Sequence, residues 1–252
     1  MTYVTDRRDA LLAAIARRLL AKYRPGIIVI TGETGRELAL DAVCAVMGGF
    51  RSMRATNEEF PPHLAPLMAV IGTAGHGRGF MFWTRTAIGG IRSLACGGPY
   101  PELLVLACSA TRHEDAHRIL AVADPQITLV TACTDERAYK ASALVEALPP
   151  NGYGIMNGDS SGARALERYT RAHVTTFGFG AECAMRITDF AVREGNASFM
   201  LGYAGRQALV TIEEAHDKEC AYAAAAGACV GVAFGIGLAR IADALRSFRT
   251  GR

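Results

Sequence analysis

Apolar runs too short to be helices alternate with stretches of helical period along the first two thirds of the chain. Gly26 to Ile30 is a β-branched run closed by Pro25 on one side and by glycines on the other, which predicts a buried strand followed by a helix from Arg36 to Val46. The alternation recurs at Glu102 to Cys108 then Glu114 to Ala123, at Ile127 to Ala132 then Glu136 to Leu148, and at Tyr153 to Met156 then Gly162 to Arg171. Strands that are apolar throughout need cover on both faces, and the intervening helices supply it, so the pattern predicts a parallel sheet. Ahead of the first strand, Leu11, Leu12, Ile15, Leu19 and Leu20 recur at helical spacing against Arg7, Arg8, Arg17 and Arg18, which predicts an opening amphipathic helix.

Past His173 the rhythm changes. Val174 to Phe177, Met185 to Val192, Ala197 to Tyr203 and Gln207 to Ile212 are short strand-like runs joined by glycine and polar turns, and they predict an antiparallel extension. Two helices, Ala215 to Phe234 and Leu238 to Phe248, close the chain around Gly235 and Gly237. The expected fold is one α/β domain, a mostly parallel sheet flanked by helices: opening helix 1–25, parallel core 26–173, antiparallel extension 174–212 and closing helices 213–252. In such sheets a ligand crevice is expected at the C-terminal ends of the parallel strands. Four glycines between Gly72 and Gly79 predict a mobile loop.

Composition narrows the partners. Half of the 252 residues are apolar, enough for a sizeable core, and a formal charge of +3 favours neither a nucleic-acid surface nor a polybasic membrane anchor. The longest apolar run, Ala221 to Ala239, approaches spanning length but consists largely of Ala and Gly, so a buried helix is expected rather than a membrane span. The opening helix lacks a signal-peptide core, and the seven cysteines have neither CxxC pairing nor short disulfide spacing; a reducing cytoplasm fits both.

Candidate chemistry concentrates in Thr31-Gly32-Glu33-Thr34-Gly35-Arg36-Glu37, between the first strand and its helix. Amides of a tight glycine turn and the positive end of a helix together form a concavity for phosphate oxygens. A working phosphate loop ends in Lys followed by Ser or Thr, where this chain has Arg36 and Glu37. A carboxylate beside a phosphate is repelled by roughly 1 to 4 kcal/mol per charge pair at ~4 Å. The plainer reading is a strand-to-helix turn with Glu37 favourably placed in the first helical turn.

The order of these features resembles the central, P-loop-type domain of the Mur ligases, ATP-dependent ligases that build cell-wall peptides. TGETGRE resembles that family's TGTNGKT, and PELLVLACSA resembles its strand ending in Glu-Met-Gly. AYKASALVEALPPNGYGIMNGDS is similar to its lysine-bearing helix and following Asn-Ala-Asp-Asp, and AHDKECAYAAAAGACVGVAFGI to its His-Asn-x-x-Asn-Ala helix. The resemblance implies ATP and Mg²⁺ as cofactors. It implies a nucleotide site from Gly32, Thr34, Gly35, Arg36, Glu37, Asn157, His216 and Asp217, with Glu37 at the position of the metal-binding hydroxyl. Lys140 falls on the family's lysine, whose carbamate helps hold a second Mg²⁺, and is the candidate catalytic residue. Against this, Ala107 stands where the family has a Mg²⁺-binding Glu, a methyl group cannot ligate a hard cation, and Cys220 replaces an adenine-contacting Asn.

Three readings follow. One is a degenerate Mur-ligase-like protein with a binding, scaffolding or regulatory role, as a homo-oligomer or beside a true ligase. Another is an active ATP-dependent ligase or ATPase that uses Arg36, Glu37, Asp135 or Glu136 in unusual roles or borrows domains from a partner. The third is a zinc hydrolase, because His113-Glu114-Asp115-Ala116-His117 matches HExxH, whose histidines lie one helical turn apart. The polar start of that segment and the lack of a third ligand count against zinc. Phe80, Phe82 and Trp83 read first as core.

Overall fold

In the computed structural model, residues 2–56, 64–73, 79–108 and 113–249 are described. In chain order the elements are α1 (Thr2–Tyr23), β1 (Gly26–Thr31), α2 (Arg36–Gly48), β2 (Met53–Ala55), α3 (Ala65–Ile71), α4 (Phe80–Cys96), β3 (Leu103–Cys108) and α5 (His113–Leu120). There follow β4 (Ile127–Val130), α6 (Asp135–Glu146), β5 (Tyr153–Asn157), α7 (Ser161–Ala165), β6 (His173–Gly178), β7 (Met185–Arg193), β8 (Asn196–Tyr203), β9 (Arg206–Ile212), α8 (Lys218–Ala233) and α9 (Leu238–Leu245). They build a nine-stranded sheet in the order β2-β3-β1-β4-β5-β6-β7-β8-β9.

Alternation within β1 explains its unbroken apolar sequence. Ile28 and Ile30 enter one core with α2, α8 and α9, while Ile27 and Val29 enter another with α1 and α3. On α1, Leu12, Ile15, Ala16 and Leu19 form the buried stripe. Helix α8 crosses α2 so closely that a Cβ on Gly227 would stand 3.0 Å from the Ala42 backbone. Its Ala and Gly content therefore serves helix-on-helix packing, and no helix among the described residues is long and apolar enough to cross a membrane.

The sheet departs from the expected boundary. Val174 to Phe177 belongs to β6, which pairs parallel with β5 through Tyr153↔His173 to Asn157↔Phe177, and β6 and β7 are also parallel. The connection through α7 and a 3₁₀ turn (Leu166–Tyr169) returns the chain to the same edge, which is what a parallel neighbour needs. Antiparallel pairing starts only at the β7–β8 turn, where Glu194 (φ 50°) and Gly195 (φ 77°) make a left-handed hairpin connection. The expected helix from Gly162 to Arg171 is likewise shorter, ending at Ala165 before that 3₁₀ turn. Helix α8 starts at Lys218 rather than Ala215 because the Asp217 carboxylate caps it, accepting from the amides of Glu219 and Cys220. Strand β2 and helices α3 and α4 were not anticipated; β2 is only three residues long, below what an apolar run can signal.

Candidate functional site

Strands β1, β4 and β5 end side by side, and their C-terminal ends form the floor of a cleft of about 520 Å³. The glycine loop forms one wall. Gly32 has φ 144°, and an added Cβ would lie against the Thr131 hydroxyl, so this position admits only glycine. Gly35, at φ 72°, delivers the chain into α2, whose first amides have no intrahelical acceptor. The loop is tied down: the amides of Glu33 and Thr34 donate to the Ala132 carbonyl at 2.9 and 3.4 Å, and the Thr131 hydroxyl donates to the Thr34 carbonyl at 2.6 Å.

Glu33 fastens the same loop to the start of α6. Its carboxylate accepts from the Thr134 hydroxyl at 2.6 Å and the Thr134 amide at 2.9 Å, with Arg137 at 3.4 Å. These bonds, those from Thr134 first, hold its carboxyl below the usual range.

The opposite wall comes from the β5–α7 loop and α8. Asn157 is buried at the end of β5, and its Oδ1 accepts from the Asp159 amide. The Asp159 carboxylate accepts from the amides of Phe179 (2.6 Å) and Gly180 (2.9 Å) and from the Tyr222 hydroxyl (2.8 Å). Burial, then Asp159, raises the Tyr222 hydroxyl above its ordinary range and keeps it a donor. The Ser160 hydroxyl bridges Cys133, accepting from its amide and donating to its carbonyl, and also caps α7. Burial pushes the Cys133 thiol up to about 11, away from nucleophilic use.

Of the residues singled out in the sequence, Thr34, Gly35 and Asn157 line the cleft. Gly32 supports it from beneath, by the close approach to Thr131. Arg36 and Glu37 bond each other at 2.6 Å and are not among the lining residues, and the second Glu37 oxygen is buried without a partner among the described residues. Lys140 bonds Glu136 at 2.6 Å, one helical turn away, and holds the Glu136 carboxyl low. His216 packs by the β7–β8 turn, 3.3 Å from where a Cβ of Gly195 would stand, and Asp217 is occupied as the α8 cap. The Ala107 amide donates to the Thr56 hydroxyl near the end of β3. The side chains of His113, Glu114 and Asp115, and most of the Gly72 to Gly79 loop, lie outside the described residues.

Glu33, Asp159, Glu219 and Tyr222 were not singled out. For the α8 pair a signal existed: Glu219, Tyr222, Ala223 and Ala226 all line the cleft at i, i+3, i+4 and i+7, one face of a helix. Among the described residues the cleft lining is acidic, with Glu33, Asp159 and Glu219 and no Lys or Arg. Among the described residues no group of three or more His, Cys, Asp or Glu is placed to hold a metal ion.

This sheet order defines an α/β domain with a mostly parallel sheet, an antiparallel end and a cleft at the C-terminal ends of the parallel strands. The fold is that of the Mur ligase central domain. MurF from Acinetobacter baumannii superposes with a TM-score of 0.77 at 14% identity, covering 97% of this chain and 51% of that one. MurF from Thermotoga maritima in complex with ADP gives 0.73 at 17% identity, covering 96% and 53%. An FPGS–AMPPCP complex gives 0.67 at 10% identity, covering 98% and 68%. The chain thus spans about half the length of the MurF chains it matches. No protein-family model and no curated protein sequence matches it.

Proposed function

We propose that this domain holds a nucleotide at the C-terminal end of its sheet without magnesium-dependent phosphoryl transfer. Its role is then one of binding, scaffolding or regulation linked to cell-wall peptide ligation in the cytoplasm, as a homo-oligomer or beside a complete ligase. Nucleotide binding is supported by the fold shared with the ADP and AMPPCP complexes and by a cleft of about 520 Å³, within the usual size of ligand sites.

The observation that supports the non-catalytic part is the described lining, which presents carboxylates where a triphosphate needs cations. Magnesium demands an octahedron of oxygens at close to fixed distances, and the residues at the positions the resemblance assigns to it do not fit it: Ala107 offers a methyl group, Glu37 is turned to Arg36, and Lys140 to Glu136, while the cleft carboxylates Glu33 and Asp159 already accept from Thr134 and from the Phe179 and Gly180 amides. Adenosine and ADP titrated calorimetrically should bind with similar affinity, and Tyr222→Ala should weaken both. ADP binding at least a hundredfold tighter than adenosine contradicts the reading, because it requires a competent phosphate site.

One observation favours the alternative, an active ATP-dependent carboxylate–amine ligase or ATPase. Asp135 and Glu136 occupy the first turn of α6 beside Lys140, so oxygen donors stand near the lysine. Turnover that survives both Arg36→Ala and Lys140→Ala removes that alternative.

A further inference from the structure

We propose that the chain carries a second ligand site, separate from the nucleotide cleft, for a small organic anion with an apolar, ring-sized body. The site is a cavity of about 620 Å³ between the end of α3, one face of α4, β2 and the segment that leads into β3. Pro99 and Tyr100 precede β3, so the cavity lies toward the N-terminal ends of the strands, whereas the nucleotide cleft lies at their C-terminal ends.

Two guanidinium groups, Arg54 and Arg85, are among its lining residues, and no carboxylate is among the described ones. Arg54 forms a fixed wall. Its Nη1 donates to the carbonyls of Ala69 (3.0 Å) and Val70 (3.2 Å) at the end of α3, and its guanidinium lies 5.2 Å over the Tyr100 ring. Gly72, at φ 81°, makes this possible, because a Cβ there would meet the guanidinium. Tyr100 is fixed in turn, its hydroxyl donating to the Val70 carbonyl at 2.6 Å and its ring stacked on Tyr23 at 4.4 Å. Arg54 thereby answers the negative helix end. Arg85 is exposed and makes no ion pair among the described residues, so its charge is available.

The second pointer is Thr86, only 4% exposed, whose hydroxyl has no hydrogen-bond partner among the described residues although it belongs to the cavity lining. A buried hydroxyl left unpaired costs about 1–3 kcal/mol, which an acceptor oxygen of a ligand would recover once a turn about χ1 brings the hydroxyl into the cavity. Arg85 stands one residue before it, so charge and hydroxyl act from adjacent positions on α4. Ile71, Phe82 and Pro99 supply apolar lining. Phosphate and carboxylate both satisfy a guanidinium and a hydroxyl donor, and the apolar lining asks for a ring attached to either.

Trp83 is the only tryptophan of the chain and meets the Phe82 ring edge-on at 5.2 Å, so its fluorescence reads this cavity. Phenyl phosphate and phenylacetate titrated into the full chain should give a saturable change in that fluorescence, and whichever binds tighter identifies the preferred headgroup. Inorganic phosphate should bind more weakly and benzyl alcohol should not saturate. Arg85→Ala should weaken the better anion at least tenfold, Arg85→Lys should restore part of it, and Thr86→Val should weaken it severalfold. Saturation by neither anion, equal binding of benzyl alcohol, or an unchanged affinity in Arg85→Ala overturns the proposal. Tyr222→Ala, which alters the nucleotide cleft, should leave the response unchanged, so failure at one site is distinguishable from failure at the other.

Discussion

Glu33 and Thr134, 101 residues apart in the chain, are joined by two hydrogen bonds, one from the Thr134 amide and one from its hydroxyl to the same carboxylate oxygen. The glycine loop is thereby locked to the first turn of α6 by an acidic side chain that also faces the cleft. Under the proposed nucleotide binding, the group that anchors the loop would also repel a phosphate.

Because the Glu33 carboxyl titrates below its ordinary 4.5 in the folded chain, the unfolded chain binds the proton more readily. Its contribution to stability is present above pH 4.5 and is lost as pH falls through the lower folded value. Glu33→Gln should therefore reduce stability by up to ~1 kcal/mol at neutral pH, the small size reflecting solvent screening, and should flatten the acid limb. Urea midpoints measured from pH 3 to pH 7 check both effects.

The same residue predicts a gain of binding. Glu33→Thr replaces the carboxylate by a neutral hydroxyl, so affinity for ADP should rise by roughly tenfold, the equivalent of ~1.4 kcal/mol from one relieved charge pair. No change in ADP affinity, read by calorimetry, places the carboxylate out of reach of the phosphates.

Gly32→Ala should destabilise the domain by ~2–4 kcal/mol, since the added methyl meets the Thr131 hydroxyl and the backbone sits at φ 144°. Gly35→Ala, where nothing lies within 4 Å but φ is 72°, should cost only ~1–2 kcal/mol. The difference between the two urea midpoints separates the steric clash from the backbone preference.

Gly227→Val should cost ~2–4 kcal/mol by forcing α8 off α2, where the backbone of Ala42 leaves no room. Thermal unfolding followed by circular dichroism measures this, with Gly237→Val, in open space at the N-cap of α9, as the near-neutral comparison.

The sequence made the layers legible because the physics behind them is periodic. Ile27 to Ile30 divide their side chains between two cores, and an unbroken apolar run is what such a strand requires. The first part of the Ala221 to Ala239 run, up to Ala233, was legible as a buried helix through its small residues, which Gly227 explains; the rest of the run is the mostly exposed turn into α9 and that helix's start. Strand direction was not legible: β6 carries Thr175, Thr176 and an exposed Val174, a half-polar pattern suited to either sense, and the return through α7 decides it. Gly32, Thr34 and Gly35 were readable as a tight turn, because local turns announce themselves, and Asn157 was reached only through the resemblance; the structure puts Thr34, Gly35 and Asn157 in the cleft lining. Glu33 was not, since its partner Thr134 is fixed only by the adjacency of β1 and β4, and Arg36 and Glu37 were read as facing a ligand although they face each other.

The most direct test of the central claim is the affinity for ATP with and without Mg²⁺, measured calorimetrically alongside phosphate release. Equal dissociation constants in the two conditions and no released phosphate are predicted. Binding tightened tenfold or more by Mg²⁺, or phosphate release above the rate without protein, contradicts the account.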